Sequence, residues 1–315
     1  MATFAKKYSH VFMKTAIIDL GTNTFHLLIF ERKEVLFKES IPAKIGKGGI
    51  SEGVISEEGI QRALGVLKYF REVIDSQEVS LEKTFAMGTS AIRNAGNKDE
   101  FGQRVFDETG IKIQVISGDE EAELICLGVK QAMDIPETSM IMDIGGGSVE
   151  FIICNNEKIF WKQSFEIGGQ RLMDKFMKSD PISMRSVQTM DDFFREKLLP
   201  LTNACHQYAP KVLIGSSGTF DTLIDMFFMK ENDALPDAKQ VSFEYSMNEF
   251  YRAYDELLFK NHTQRMTIAG MIELRVDMIV VAMCLIRFVI QMFDIQRIRV
   301  SSYALKEGVM AKILA

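Results

Sequence analysis

The chain has 315 residues, 47% of them hydrophobic and 25% charged, with 37 basic against 43 acidic side chains and a formal net charge of −6. That length suits two lobes rather than one core, and the acidic balance excludes a broad nucleic-acid-binding or anionic-membrane surface while leaving room for a local basic pocket. The four cysteines, Cys126, Cys154, Cys205 and Cys284, are scattered without metal-binding spacing and read as buried free thiols of a reducing compartment.

Residues 1–14 carry Lys6, Lys7 and His10 but no long apolar stretch, which predicts a poorly ordered leader and no signal peptide. Strands follow over Thr15–Leu20, Thr24–Glu31 and 34–45, then a glycine-rich loop over 46–53 with Lys44 and Lys47, which read as solvated lysines with a basic rim for a long polyanion as the alternative. Ser56 caps a helix to residue 74, with Glu57 and Glu58 suiting the dipole and Ile60, Leu64, Leu67 and Phe70 at helical spacing. A strand over 83–87 runs into Gly88-Thr89-Ser90-Ala91-Ile92-Arg93, Asn97 caps a helix to 108, and a strand over 111–116 precedes a helix from Ser117 to 133. This strand–helix alternation predicts an α/β fold, with a first lobe over 1–130 and a second over 131–315.

The second lobe opens with a strand over 139–143 and continues with one over 158–166 and a helix from Ile167-Gly168-Gly169. Asp180-Pro181 is read as a further helix start with proline in first position. A strand over 211–214 ends in Gly215-Ser216-Ser217-Gly218-Thr219 and leads to a helix to 229, a polar loop over 230–240 and a helix capped by Ser246. The stretch 276–293 is the most hydrophobic, but its longest uncharged run, 278–286, falls well short of the ~20 residues that span a bilayer, so it reads as a buried helix and the chain as cytoplasmic. Arg275 and Asp277 are expected to pair. A strand over 297–300 and a helix from Leu305 close the chain, with no low-complexity linker between the lobes.

The organising stretch is IMDIGGGSVEFII at 141–153, two short apolar runs around Asp143, Gly145, Gly146, Gly147, Ser148 and Glu150. Three absent Cβ atoms let backbone N–H groups close around an anion, and the two acids make sense with a divalent cation or a water nucleophile between them and a phosphate. A second copy, AIIDLGTNTFHLLIF at 16–30, places Asp19 and Gly21 where Asp143 and Gly145 stand, with Thr22-Asn23-Thr24 as the turn. Two such hairpins at domain-scale separation predict an internal duplication with two phosphate loops on one cleft. The pairing resembles the actin, chaperone and sugar-kinase superfamily.

DLGTNTFHLLIF at 19–30, GTSAIRNAGN at 88–97, ISGDEEAEL at 116–124, DIGGGSVEFI at 143–152, FEIGGQRL at 165–172, GSSGTFDTL at 215–223 and RVDMIVVA at 275–282 occur in this order. Together they resemble the exopolyphosphatase / guanosine pentaphosphate phosphohydrolase family over nearly the whole chain. The resemblance implies two actin-like (ribonuclease H-like) lobes with a cleft between them. It also implies Mg2+-dependent release of terminal orthophosphate from inorganic polyphosphate, with guanosine pentaphosphate as the alternative substrate. Glu121 then takes the place of the family's general base, and Asp143 and Glu150 match the acids that bracket the second phosphate loop. From the residues themselves, Arg93 suits a phosphate fork. The turns Thr22-Asn23-Thr24 and Gly145-Gly146-Gly147-Ser148 suit phosphate oxygens, and Asp19, Asp143 and Glu150 suit a metal. His26 reads as a hydrogen-bonded structural histidine.

Ser302-Tyr303-Ala304, Glu273 and Lys44 depart from the family pattern, and a chain ending after two lobes is expected to prefer shorter polymers. The rival readings are a small-metabolite kinase and a non-catalytic module that binds guanosine tetra- or pentaphosphate. No nucleic-acid or membrane partner is expected; a homodimer is compatible with the sequence and required by no part of it.

Overall fold

Each apolar run that the glycines punctuate becomes a strand, and the strands assemble into two sheets in a computed structural model that describes residues 13–315. The leader expected over 1–14 lies outside the described residues except for its last two. The first sheet contains β1 (Thr15–Leu20), β2 (Thr24–Glu31), β3 (Glu34–Pro42), β4 (Thr84–Gly88) and β5 (Ile113–Val115) in the order β3-β2-β1-β4-β5. Its helices are α1 (Glu57–Ser76), the single turn α2 (Ser90–Arg93), α3 (Lys98–Thr109) and α4 (Gly118–Ala132). The chain then builds β6 (Ser139–Ile144), β7 (Val149–Cys154), β8 (Ile159–Phe165), α5 (Gly169–Phe176), α6 (Met184–Lys197), α7 (Leu199–Tyr208), β9 (Val212–Ser216) and α8 (Gly218–Asn232). It ends with β10 (Ser242–Tyr245), α9 (Met247–Phe259), α10 (His262–Met266), α11 (Met278–Met292), β11 (Arg297–Ser301) and α12 (Leu305–Leu314). The second sheet runs β10-β11-β9-β6-β7-β8.

Both sheets are covered on both faces, which is why their central strands are apolar throughout instead of alternating with polar residues. On the outer faces, Ala16, Ile18 and Leu20 pack under α1 and α3, while Met140, Met142 and Ile144 share a core with α6 and α11. On the inner faces, Ile17, Leu28 and Phe30 of the first sheet meet Ile141, Ile152 and Ile214 of the second through Ile125 and Val129 of α4 and Leu305 and Val309 of α12. Strand side chains alternate with period two, so Asp19, His26, Asp143, Glu150 and Ser216 share the parity of that inner layer. The candidate site residues therefore converge between the sheets as a consequence of register.

The helix starts at Ser56, Ser117 and Ser246 form as the sequence predicts, each serine accepting a backbone N–H three residues on. Asn97 precedes α3, but its side chain instead joins both backbone groups of Ile55, at 3.0 and 2.9 Å. The helix start expected at Asp180-Pro181 is corrected. α6 begins after Ser183, which caps it, because the Asp180 carboxylate is taken by Arg265 at 2.8 Å and by the His262 amide at 2.6 Å. The polar loop expected over 230–240 starts only after Asn232, and β10 beyond it was not anticipated. Among the described residues no helix is long and apolar enough to cross a membrane.

Candidate active site

Two hairpin turns, packed against one another, line a single cleft of about 260 Å3. β1 and β2 pair with Asp19 opposite His26, and β6 and β7 pair with Asp143 opposite Glu150. The carbonyls of each turn are captured from behind. Gly46 donates to Thr22, and Ala43 and Lys44 to Asn23; Gly169, Gln170 and Gly168 donate to Gly145, Gly146 and Gly147. The start of α5 comes so close that a Cβ at Gly168 would stand 2.5 Å from the Gly146 and Gly147 backbone. With their carbonyls turned away, the amides of Gly146 and Gly147 bond no other described group and are available to an anion in the cleft.

The predicted phosphate-binding residues Thr22, Asn23, Thr24, Gly145, Gly146, Gly147 and Ser148 all line the cleft. Thr24 is 6% exposed, yet its Oγ1 has no partner among the described residues. Asn23 Nδ2 donates to Met278 Sδ at 3.0 Å across the seam between the sheets. Ser148 differs from expectation in one respect: its hydroxyl donates to Glu150 Oε1 at 2.7 Å.

Asp143 and Glu150 are each half satisfied. Asp143 Oδ2 accepts from Ser216 and Ser217 at 2.7 and 2.6 Å, and Glu150 Oε1 accepts from Ser148 and Ser164 at 2.7 and 2.6 Å. The second oxygen of each is free. Burial, with the neighbouring acids Glu121 and Asp143, pushes the Glu150 carboxyl well above the usual range; burial also raises Asp143, against the pull of the two serines. Asp19 lines the same cleft, its carboxyl pushed up to about 7 by burial and Asp143 against the pull of Lys306. Ser217 holds Asp143 from a backbone with φ of 70°, a strained conformation for a residue with a side chain. The GSSGT stretch thus serves here to position a carboxylate.

These hard oxygen donors fit Mg2+, which binds through one or two carboxylates and keeps its remaining positions for water and substrate phosphate. Among the described residues no group of three or more acids, histidines or cysteines is placed to hold a metal ion by itself, the expected Asp19, Asp143 and Glu150 included.

Glu121 lies in the first turn of α4, 7% exposed, with Oε2 held by Arg93 Nη1 at 2.7 Å. Burial pushes its carboxyl up to about 7 against the opposing effect of Arg93. Arg93 is not turned into the main cleft; it lines an adjoining hollow with Ser117, Gly118 and Ser164. His26 is bonded to Ser40 at 2.6 Å, as a structural histidine should be.

Sequence reasoning missed the cations on the other side of the cleft. Arg275 does not pair with Asp277, whose carboxylate is held by Arg265 at 2.9 Å and by His262 at 2.9 Å. The i,i+2 spacing invited the pairing, but the completely buried Arg265 claims that acid. Arg275 instead lines the cleft over Gly218, with no ion pair among the described residues, and burial lowers its pKa. Lys306 lines the cleft too, 3.3 Å from Glu307. Neighbouring charges link these groups: Arg93 acts on Glu121, Glu121 and Asp143 act on Glu150, and Lys306 and Arg275 act on both Asp143 and Asp221. The Asp221 carboxyl, with Oδ1 unpartnered, is pushed up to about 7 by burial. Arg275 opens the RVDMIVVA segment at 275–282 that carries part of the family resemblance, but nothing in the local pattern of that segment turns it toward the cleft.

The chain resembles the solved exopolyphosphatase of Cytophaga hutchinsonii at 45% identity and a TM-score of 0.92, over 96% of this chain and 98% of that one. The fold is also that of the Aquifex aeolicus Ppx/GppA family member, with a TM-score of 0.78 at 24% identity over 96% and 97% of the two chains. Among curated proteins it is 31% identical to the bifunctional 3-dehydroquinate synthase/phosphatase of Fusobacterium nucleatum, over 98% of this chain and 47% of that protein. It is 24% identical to the guanosine-5'-triphosphate,3'-diphosphate pyrophosphatase of Vibrio vulnificus, over 95% of this chain and 59% of that protein. The chain thus spans about half the length of the curated relatives it matches. A sequence model of the Ppx/GppA phosphatase family matches residues 28–315, and the two-lobed chain, with its paired actin-like hairpins, belongs to that family.

Proposed function

We propose that the protein hydrolyses phosphoanhydrides, releasing terminal orthophosphate from inorganic polyphosphate with Mg2+ as cofactor. The observation that carries this reading is the buried, arginine-held Glu121 beside a cleft where two phosphate turns and the half-free carboxylates Asp143 and Glu150 meet. The terminal phosphoryl group sits on the amides of Gly146 and Gly147 and the unpartnered hydroxyl of Thr24. Asp143 and Glu150 would hold the Mg2+, with Asp19 beside them, and the bound ion would supply neutralisation of charge on the phosphoryl oxygens. Glu121 orients a water and takes its proton, a role suited to a carboxyl whose pKa is raised toward neutrality. Arg93 keeps Glu121 in place. Arg275 and Lys306, beyond Asp143 from the base, offset the charge that gathers on the leaving phosphate.

The 45% identity to the Cytophaga exopolyphosphatase favours polyphosphate as substrate; the Vibrio relative keeps guanosine pentaphosphate as the second. The four buried cysteines form no disulfide, which suits a reducing, cytoplasmic compartment. The test is phosphate release with Mg2+ from long polyphosphate, tripolyphosphate and guanosine pentaphosphate, by wild type and Glu121→Ala. We expect release from polyphosphate and a loss of ~10^2–10^4 in the variant, the usual worth of a general base. Release only from the nucleotide would move the activity to that substrate. Nucleotide binding with no release at all would replace the enzyme reading with a binding module.

A further inference from the structure

Glu166 lies just past β8, and its exposed carboxylate gathers three groups that would suit a phosphate. Oε2 accepts from Ser90 Oγ at 2.7 Å and from Arg171 Nη2 at 3.2 Å, and Oε1 accepts from Arg93 Nη2 at 3.3 Å. Ser90 and Arg93 belong to the half of the molecule built on the first sheet, while Glu166 and Arg171 belong to the other. The contact therefore crosses the seam between the lobes. It also stands where three spaces meet. Ser90 lines the main cleft, and Glu166 itself lines two hollows outside it, one with Arg93 and Ser117, the other with Gly48, Arg171 and Lys175.

The arginines do not depend on Glu166 for their positions. Arg93 is held by Glu121 at 2.7 Å and by the Ile116 carbonyl at 3.3 Å; Arg171 donates to the Gly147 and Ile50 carbonyls, each at 3.0 Å. What Glu166 occupies is the third guanidinium nitrogen of Arg171 and, shared with Ser164 Oγ at 3.5 Å, the second terminal nitrogen of Arg93, groups a passing phosphate would use. We propose that Glu166 is a tethered anion that sets substrate length: short chains fit within the cleft, and a longer chain must displace this carboxylate to reach Arg93 and Arg171. Glu166 is 41% exposed, and ion pairs of that kind are weak enough for a polyanion to displace.

This inference rests on the phosphoanhydride reading of the cleft, so its test has a binding arm that requires no turnover. In the kinetic arm, Glu166→Gln is compared with wild type on long-chain polyphosphate and on tripolyphosphate. The KM for the long chain should fall about 3- to 10-fold, the worth of two such weak competing pairs, with kcat and KM for tripolyphosphate nearly unchanged. In the binding arm, calorimetry compares Glu121→Ala with Glu121→Ala/Glu166→Gln, which should bind long-chain polyphosphate more tightly by the same factor. An unchanged or raised KM for the long chain, or an equal gain for both substrates, overturns the proposal. Should wild type release no phosphate while the binding gain appears, the hydrolase reading fails and the role of Glu166 stands; should neither variant bind polyphosphate, both fail.

Discussion

The two hairpins are built to one register and finished differently. Asp19 and His26 face each other in the first as Asp143 and Glu150 do in the second, and the turns Thr22-Asn23-Thr24 and Gly146-Gly147-Ser148 correspond position by position. The backbones are tied alike, with their carbonyls captured from behind, the first by residues 43–46 and the second by the opening amides of α5. The side chains divide the labour. A Cβ at Gly146 would stand 2.3 Å from Asn23 Nδ2, and one at Gly147 would stand 2.7 Å from Thr22 Oγ1. The glycines of one turn leave the space that the side chains of the other fill. The duplicated hairpins are therefore not two equal halves: the second presents bare amides and two acids to the cleft, and the first presents hydroxyls, one acid and a histidine.

The largest effect should separate the two residues at the equivalent position. Glu150→Gln should lower phosphate release by at least about 10^2-fold and raise the Mg2+ needed for half-activation, since even outer-sphere changes at metal sites cost ~10–100-fold. His26→Gln keeps a side chain able to bond Ser40 and should stay within a few-fold of wild type. Equal losses in the two variants, measured over a Mg2+ titration, would erase the division of labour drawn above. Metal removal should abolish release by both proteins, and added Mg2+ should restore wild type at a concentration that leaves Glu150→Gln well short of its own maximum.

That division was half legible in the sequence. Both hairpins and their acids follow from local patterns of short apolar runs and glycine turns, and the helix cap at Ser117 fixes where α4 begins, but Glu121 was singled out among the first-turn acids of α4 only by the family resemblance. Strand parity then places Asp19, His26, Asp143 and Glu150 on the inner faces. What local pattern cannot carry is convergence. Arg275 and Lys306 reach the cleft from segments that follow the second hairpin only after β8, β9 and β10, and Glu166 meets Ser90, 76 residues earlier in the chain. β10 was missed because its short, half-polar SFEY segment becomes a strand only by pairing with β11 at the sheet edge. Asp180-Pro181 misled because a competing partner, Arg265, claimed the acid.

A smaller effect should report the nesting of the turns. Gly146→Ala drives a methyl into the buried Asn23 amide and should cost about 1–3 kcal/mol, as overpacking usually does. Asn23→Ala gives up the bond to Met278 and should cost about 1 kcal/mol. The double variant should lose less than the sum, with a coupling of about 0.5 kcal/mol or more in urea denaturation of all four proteins. Strict additivity would mean that the two turns do not contend for the same space.

The smallest effect lies in how the two equivalent side chains respond to pH, and there the signs oppose. Burial, Glu121 and Asp143 raise the Glu150 carboxyl well above its ordinary 4.5. The stability associated with its neutral form is complete below that value and is lost as pH rises toward the folded pKa. Burial, then Lys306 and Arg275, hold His26 well below its ordinary 6.5. The stability of its neutral imidazole is complete above 6.5 and is lost as pH falls toward the folded pKa. Without Mg2+, the Tm of Glu150→Gln minus that of wild type should therefore climb between pH 4.5 and 8, and the same difference for His26→Gln should climb as pH falls from 7 to 5. Each kcal/mol of linkage should appear as roughly 2–4 °C in a chain of this size. Mg2+ favours the charged carboxylate and should flatten the wild-type loss at high pH while leaving the histidine limb alone. If Mg2+ moved both limbs together, the ion would not be held at the second hairpin, and the asymmetry between the loops would have to be drawn elsewhere.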